Sequence, residues 1–109
     1  MKADAQALKG HLDTLLLASL ENGAQHGYAV KEALRAGSRA QFDLPTGTIY
    51  PALRRLEAAG LVRGTWSQAG GRRRRTYELT PAGRQRLSRD RAAWQDFAAA
   101  VSAILEPAP

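Results

Sequence analysis

Apolar residues recur at helical period over most of the chain and at a period of two only in its middle. Leu8, Leu12, Leu15, Leu16 and Leu20 share one broad face of a helix predicted over residues 5–21, with Leu17 at its margin. That face is wide for a helix covering one core, so part of it is expected to meet a partner. Asn22-Gly23 ends it. His26-Gly27-Tyr28 opens a second helix, running to about Ala36 on Val30, Ala33 and Leu34. Gly37 stops it, and residues 38–43 read as a polar loop.

The third helix lies within LPTGTIYPALRRLEAAG, residues 44–60. Ile49, Leu53 and Leu56 fall at i, i+4 and i+7 and anchor one face. Gly47, Pro51, Arg54 and Ala58 form the opposite face, flanked by Thr48, Tyr50 and Arg55. Such a helix is slim at its start and basic further along, a shape that fits a duplex groove. Thr46 is expected to cap it, and Gly60 to supply the left-handed residue beyond its end. Pro51 removes the bond to the Gly47 carbonyl, so the helix start is expected to be bent or tightened.

From Leu61 the period changes. Residues 61–66 and 75–80 read as two strands, with Thr76/Glu78 and Tyr77/Leu79 on opposite faces of the second. Residues 67–74 join them as a turn, with Gly70-Gly71 ahead of a basic tip. Thr80 caps the final helix and Pro81 takes its first position; the helix runs to Leu105. Leu87, Trp94 and Val101 are spaced by seven, as are Phe97 and Ile104, with polar Asp90 at the first position of that second seam. The fold expected is mostly α with a small β-hairpin (α+β), a winged helix-turn-helix in the order α-α-α-β-β-α. Residues 1–80 form the DNA-binding unit, including the first helix. Residues 81–109 are expected to form a C-terminal helix with coiled-coil spacing, integral to the same single domain. The third helix would enter the major groove and the hairpin tip would touch the neighbouring backbone.

Charge placement strengthens this picture. The net charge is +6 over 109 residues. Residues 1–43 are balanced, residues 44–91 carry eleven arginines against three acids, and residues 92–109 carry two acids and no base. One central basic block suits a polyanion; the alternative is a solvated basic surface. There is no cysteine, which excludes disulfides and Cys-type metal sites and fits a reducing compartment. The run Leu15-Leu16-Leu17-Ala18 is too short to span a bilayer, so a cytoplasmic protein without membrane contact is expected. An enzyme is not expected. His11 and His26 lack metal-ligand spacing, no Gly-x-Ser-x-Gly turn or phosphate-cradling glycine loop occurs, and carboxylates are scattered. No metal or cofactor is implied.

The chain resembles the PadR family of bacterial transcriptional regulators over nearly its whole length. The resemblance rests on His26-Gly27-Tyr28, the run GTIYPALRRLE from Gly47 to Glu57, and Gly60-Leu61-Val62. It continues through Gly70-Gly71-Arg72-Arg73, Tyr77-Glu78-Leu79-Thr80 and Gly83. The short final helix is similar to that of the small subfamily, which lacks an extended C-terminal effector domain. Pro45 stands where the family often places a Ser or Asn cap. The resemblance implies a homodimer held by the last and first helices. It also implies repression from a pseudo-palindromic double-stranded operator, relieved by a small aromatic or lipophilic effector.

On this reading Tyr50, Pro51 and Arg54 face the groove, Thr46, Thr48 and Arg55 the sugar–phosphate walls, and Arg72, Arg73 and Arg74 belong to the wing. Two alternatives stay open: Arg54 and Arg55 as a solvated face with Glu57 and Glu78 for partners, and Tyr50 as packing under the wing. Trp94 lies on the stripe expected to dimerise, matching a tryptophan on the last helix of multidrug-responsive PadR-like regulators. It is either a packing aromatic at the seam or a stacking surface for a flat ligand. Leu8, Leu12, Leu15, Leu87, Phe97, Val101 and Ile104 join it at the effector and dimer interface. Trp66 is expected to pack at the wing base. The alternative function is a winged-helix module that binds nucleic acid without sequence preference, or binds protein.

Overall fold

The computed structural model of the chain describes residues 8–108. The first helix is shorter than its leucine stripe predicts: α1 spans Leu12–Ser19. Gly10 takes a left-handed φ of 87°, and residues 8–11 form a turn ahead of α1. Residues 5–7 of the expected helix lie outside the described residues. Leu8 still reaches the core, and Leu17, expected at the margin, is fully buried beside Leu16.

α2 spans Gly27–Gly37. His26 caps it: Nδ1 accepts from the Ala29 N–H at 3.2 Å, so the ring proton sits on Nε2. α3 spans Thr46–Ala58, and its cap differs from expectation. Pro45, not Thr46, occupies the N-cap, and no side chain caps the helix. The Pro45 carbonyl instead accepts from both Thr48 (2.9 Å) and Ile49 (3.2 Å), which tightens the first turn. The helix continues through Pro51 unbroken. Its end follows the sequence closely. Gly60 has φ 76°, Gly60 N–H donates to the Glu57 carbonyl and Leu61 N–H to that of Leu56, each at 3.0 Å. This is the paired bonding of a Schellman stop.

The strands are longer than predicted. β2 spans Val62–Ala69 and β3 spans Arg72–Leu79, leaving only Gly70-Gly71 as the turn. Both glycines have positive φ, 60° and 77°, which matches the right-handed twist of the strands they join. The arginines therefore stand on a paired strand and not in a loop. A short strand absent from the sequence reading, β1 at Gln25–His26, pairs with β3 through Gln25↔Tyr77 and His26↔Thr76. The sheet is three-stranded and antiparallel in the order β1-β3-β2. Two residues are too few to show a period, so β1 had no signal of its own.

α4 spans Pro81–Leu105, with Thr80 as its cap. Thr80 Oγ1 accepts from the Gly83 N–H (3.1 Å) and donates to the Gly60 carbonyl (2.7 Å), joining the ends of α3 and the sheet to the start of α4. Leu16, Leu20, Val30, Ile49, Leu53, Leu56, Val62, Tyr77, Leu79 and Leu87 form one core. Beyond Leu87 no residue of α4 is buried, and the molecule is drawn out to 59 × 31 × 21 Å. A bidentate ion pair, Glu21 with Arg91 at 2.8 and 3.0 Å, fastens the region after α1 to the middle of α4. The Arg91 guanidinium holds the Glu21 carboxyl below its ordinary pKa. Among the described residues, no helix is long and apolar enough to cross a membrane, and no acidic or histidine cluster forms a metal site.

Candidate nucleic-acid interface

α3 buries Ile49, Ala52, Leu53 and Leu56 and turns Thr46, Gly47, Pro51, Arg54, Arg55 and Ala58 outward. Thr48 is half-buried. Tyr50 is also half-buried, with its ring against Gly27 at the start of α2. A Cβ on Gly27 would stand 2.1 Å from a Tyr50 ring carbon, so this crossing of α2 and α3 needs a glycine. Tyr50 thus packs and, on its other side, lines an open groove between α3 and the wing.

The groove is aromatic and cationic. His26, Tyr28, Tyr50, Arg54, Trp66 and Arg72 to Arg75 line it. Tyr28 and Trp66 are more than half exposed, large aromatic areas to leave in water. Among the described residues Arg54, Arg72, Arg73 and Arg74 make no ion pair, so their donors are available to an anion. Arg75 is committed to Glu57. A phosphate backbone beside exposed base edges is the chemistry such a surface accommodates.

Arg55 is not brought into this groove. Its guanidinium pairs with Asp13 on α1, on a different side of α3. Nor do Glu57 and Glu78 accompany Arg54: Glu57 holds Arg75, and Glu78 lies 3.5 Å from Arg63. Trp66, expected at the wing base, is instead open to the groove. Sequence reasoning missed Tyr28, Trp66 and Arg75 as groove residues. A signal for two of them was present. A two-residue Gly70-Gly71 turn fixes the register and sets Trp66 opposite Arg75.

The second exposed surface is the far half of α4. Trp94 and Phe97 are 51% and 59% exposed, with ring centroids 6.1 Å apart, and Trp94 meets His11 edge-on at 5.4 Å. Ile104 and Leu105 are more open still, and Val101 is half-buried. Leu8 and Leu87, assigned from sequence to a seam between copies, are buried in this chain's own core. Leu12 and Leu15 are partly buried against that core.

Comparison with known proteins agrees with this architecture. The model of the transcriptional regulator PadR-like family matches residues 16–89. Transcriptional regulator Rv3488 of Mycobacterium tuberculosis is 45% identical over 64 residues, 59% of this chain and 60% of that protein. The alignment therefore spans less than two thirds of the mycobacterial relative. A Streptococcus transcriptional regulator superposes with a TM-score of 0.80 at 32% identity, covering 94% of this chain and 99% of its own. A PadR-like regulator from Bacillus cereus gives 0.82 at 26%, covering 95% and 100%. Bacillus subtilis PadR, solved in complex with operator DNA, shares the fold at a TM-score of 0.65 and 24% identity, over 71% of this chain and 44% of its own. The chain belongs to the PadR-like family of transcriptional regulators.

Proposed function

We propose that this regulator is a dimeric repressor that binds a pseudo-palindromic operator in double-stranded DNA and is released by a small aromatic or lipophilic effector. The observation that carries the DNA reading is the convergence on one groove beside α3 of Arg54 and three wing arginines that make no ion pair among the described residues. Bacillus subtilis PadR was solved on operator DNA, which supports a duplex partner for the shared fold. Thr46, Thr48, Tyr50, Pro51 and Arg54 of α3, with Arg72, Arg73 and Arg74 of the wing, form the DNA surface. Residues 1–80 carry it, and residues 81–109 join two copies within one domain. The protein acts in the cytoplasm.

The uncovered stripe of Trp94, Phe97, Val101 and Ile104 supports the dimer. A two-fold contact along α4 brings each Trp94 near its copy, and a flat ligand between the indoles would alter the spacing of the two α3 helices. That spacing must match half-sites about 34 Å apart, so ligand binding shifts the population away from the DNA-competent state.

Fluorescence anisotropy of a labelled duplex from the DNA just upstream of the gene, at two salt concentrations with scrambled competitor, tests the reading. Binding that resists the competitor is expected. Equal displacement by scrambled DNA would instead favour a winged-helix module without sequence preference. Replacing Arg72, Arg73 and Arg74 together by Ala should weaken binding to all duplexes and flatten the salt slope, by about 1 for each phosphate no longer neutralised. An unchanged slope would remove the wing from the interface.

A further inference from the structure

Strand alternation divides the wing arginines in a way that their run in the sequence conceals. Arg75 lies opposite Trp66 and Arg73 opposite Gln68. Arg73 and Arg75 share the sheet face of buried Tyr77 and Leu79, turned toward the helices. Arg72 and Arg74 border the groove too, but they leave β3 from the opposite face, the one that carries Thr76 and Glu78.

On the inner face the cations are organised by one indole. The Arg73 guanidinium carbon lies 4.5 Å from the Trp66 ring centroid and that of Arg75 lies 5.3 Å from it. Arg75 also pairs with Glu57 on α3, and the same carboxylate oxygen accepts from the Gly64 N–H at 3.3 Å. Gly64 leaves the space for this pair: a Cβ there would stand 2.9 Å from Arg75 Nε and from Glu57 Oε2. A continuous series therefore runs from α3 to the wing through Glu57, Arg75, Trp66 and Arg73. Arg75 is tied to Glu57 by one hydrogen-bonded ion pair. Arg73 makes no ion pair among the described residues, and stacking on a ring face leaves the edge of its guanidinium open. An oriented planar fork with free N–H groups is suited to a phosphodiester.

We propose that Trp66 is a positioning residue for DNA binding, which holds Arg73 as the pre-oriented phosphate clamp of the wing. This rests on the DNA reading above. Arg72 and Arg74 then contribute charge without orientation, so the three arginines are unequal although adjacent.

One arm of the test needs no DNA. Guanidinium Nε–H resonances of Arg73 and Arg75 are expected to carry ring-current shifts that Arg72 and Arg74 lack, and to lose them in Trp66→Leu. Four arginines with equivalent shifts would overturn the stack. The second arm is anisotropy with the upstream duplex. Trp66→Leu is expected to weaken binding about fivefold, and Trp66→Phe, which keeps a ring, to recover most of that loss. In an Arg73→Ala background the further loss from Trp66→Leu should shrink below about twofold, while an Arg72→Ala background should show the full effect. An undiminished loss in the Arg73→Ala background would overturn the positioning role. A parent protein that binds no duplex at all would overturn the DNA reading and this role with it, while the resonance shifts still report on the stack.

Discussion

Arg54 and Arg55 leave α3 about 100° apart, and that angle separates their partners. Arg54 opens into the groove, whereas Arg55 meets Asp13 on α1. Arg54→Ala should cost about 1–3 kcal/mol in operator binding, read as a rise in Kd by anisotropy. Arg55→Ala should weaken binding less and lower folding stability by no more than about 1 kcal/mol in urea unfolding, since the pair is exposed. A larger binding loss for Arg55→Ala would return it to the sugar–phosphate wall. The same scale holds a pH dependence. The Arg91 hydrogen bond lowers the Glu21 pKa, so this pair stabilises the folded chain above the ordinary glutamate range and ceases to do so as pH falls through the lowered value. The difference in Tm between the parent and Glu21→Gln should be present at neutral pH and vanish in acid. Of these contacts the sequence showed only the face of α3; Asp13 and Arg55 are 42 positions apart, and no local pattern joins them.

At the scale of elements, helix ends were legible wherever the bonding is local. Thr80-Pro81 at the start of α4 and Gly60 beyond α3 could be read because a cap needs only the next few residues. Pro45 broke the same rule, since it offers no side-chain acceptor and its carbonyl took both donors instead. The strands of the wing read too short in the sequence because Ser67, Gln68 and a run of arginines have weak strand preference; pairing across the Gly70-Gly71 turn holds them extended. How the wing is tied to α3 was not legible, because the Glu57–Arg75 pair depends on register and on the space that Gly64 leaves for it. Loosening that tie has a definite expected outcome. Glu57→Gln frees the Arg75 charge, so binding to scrambled duplex should strengthen with a steeper salt slope while preference for the operator falls. Competition titrations measure both, and an unchanged preference would show that the wing is oriented without Glu57.

Seen whole, the molecule is a compact winged domain with a rod attached. Only Gly83 and Leu87, near the start of α4, are buried, and the apolar stripe further along faces outward. Ile104→Asp should shift sedimentation toward monomer and lower operator affinity, while far-UV dichroism stays near that of the parent. Retained dimers would place the contact elsewhere on α4. That an apolar stripe runs along the far half of α4 was legible from the heptad spacing of Trp94, Val101, Phe97 and Ile104. The exclusion of Leu87 from that stripe was not, because the point where α4 leaves its own core depends on how far α1 packs along it.

The rod has a consequence for how much of this protein persists in a cell. A helix whose far half buries no residue in the core of its own chain draws little stability there from packing, and helical propensity by itself is marginal in water. Assembly would supply the missing contacts, so Tm should climb as the protein is concentrated. Dilute copies would fray at α4 and be open to proteases, while abundant ones would be shielded by each other. Abundance and lifetime would then rise together, giving the regulator a threshold below which it clears itself without any ligand.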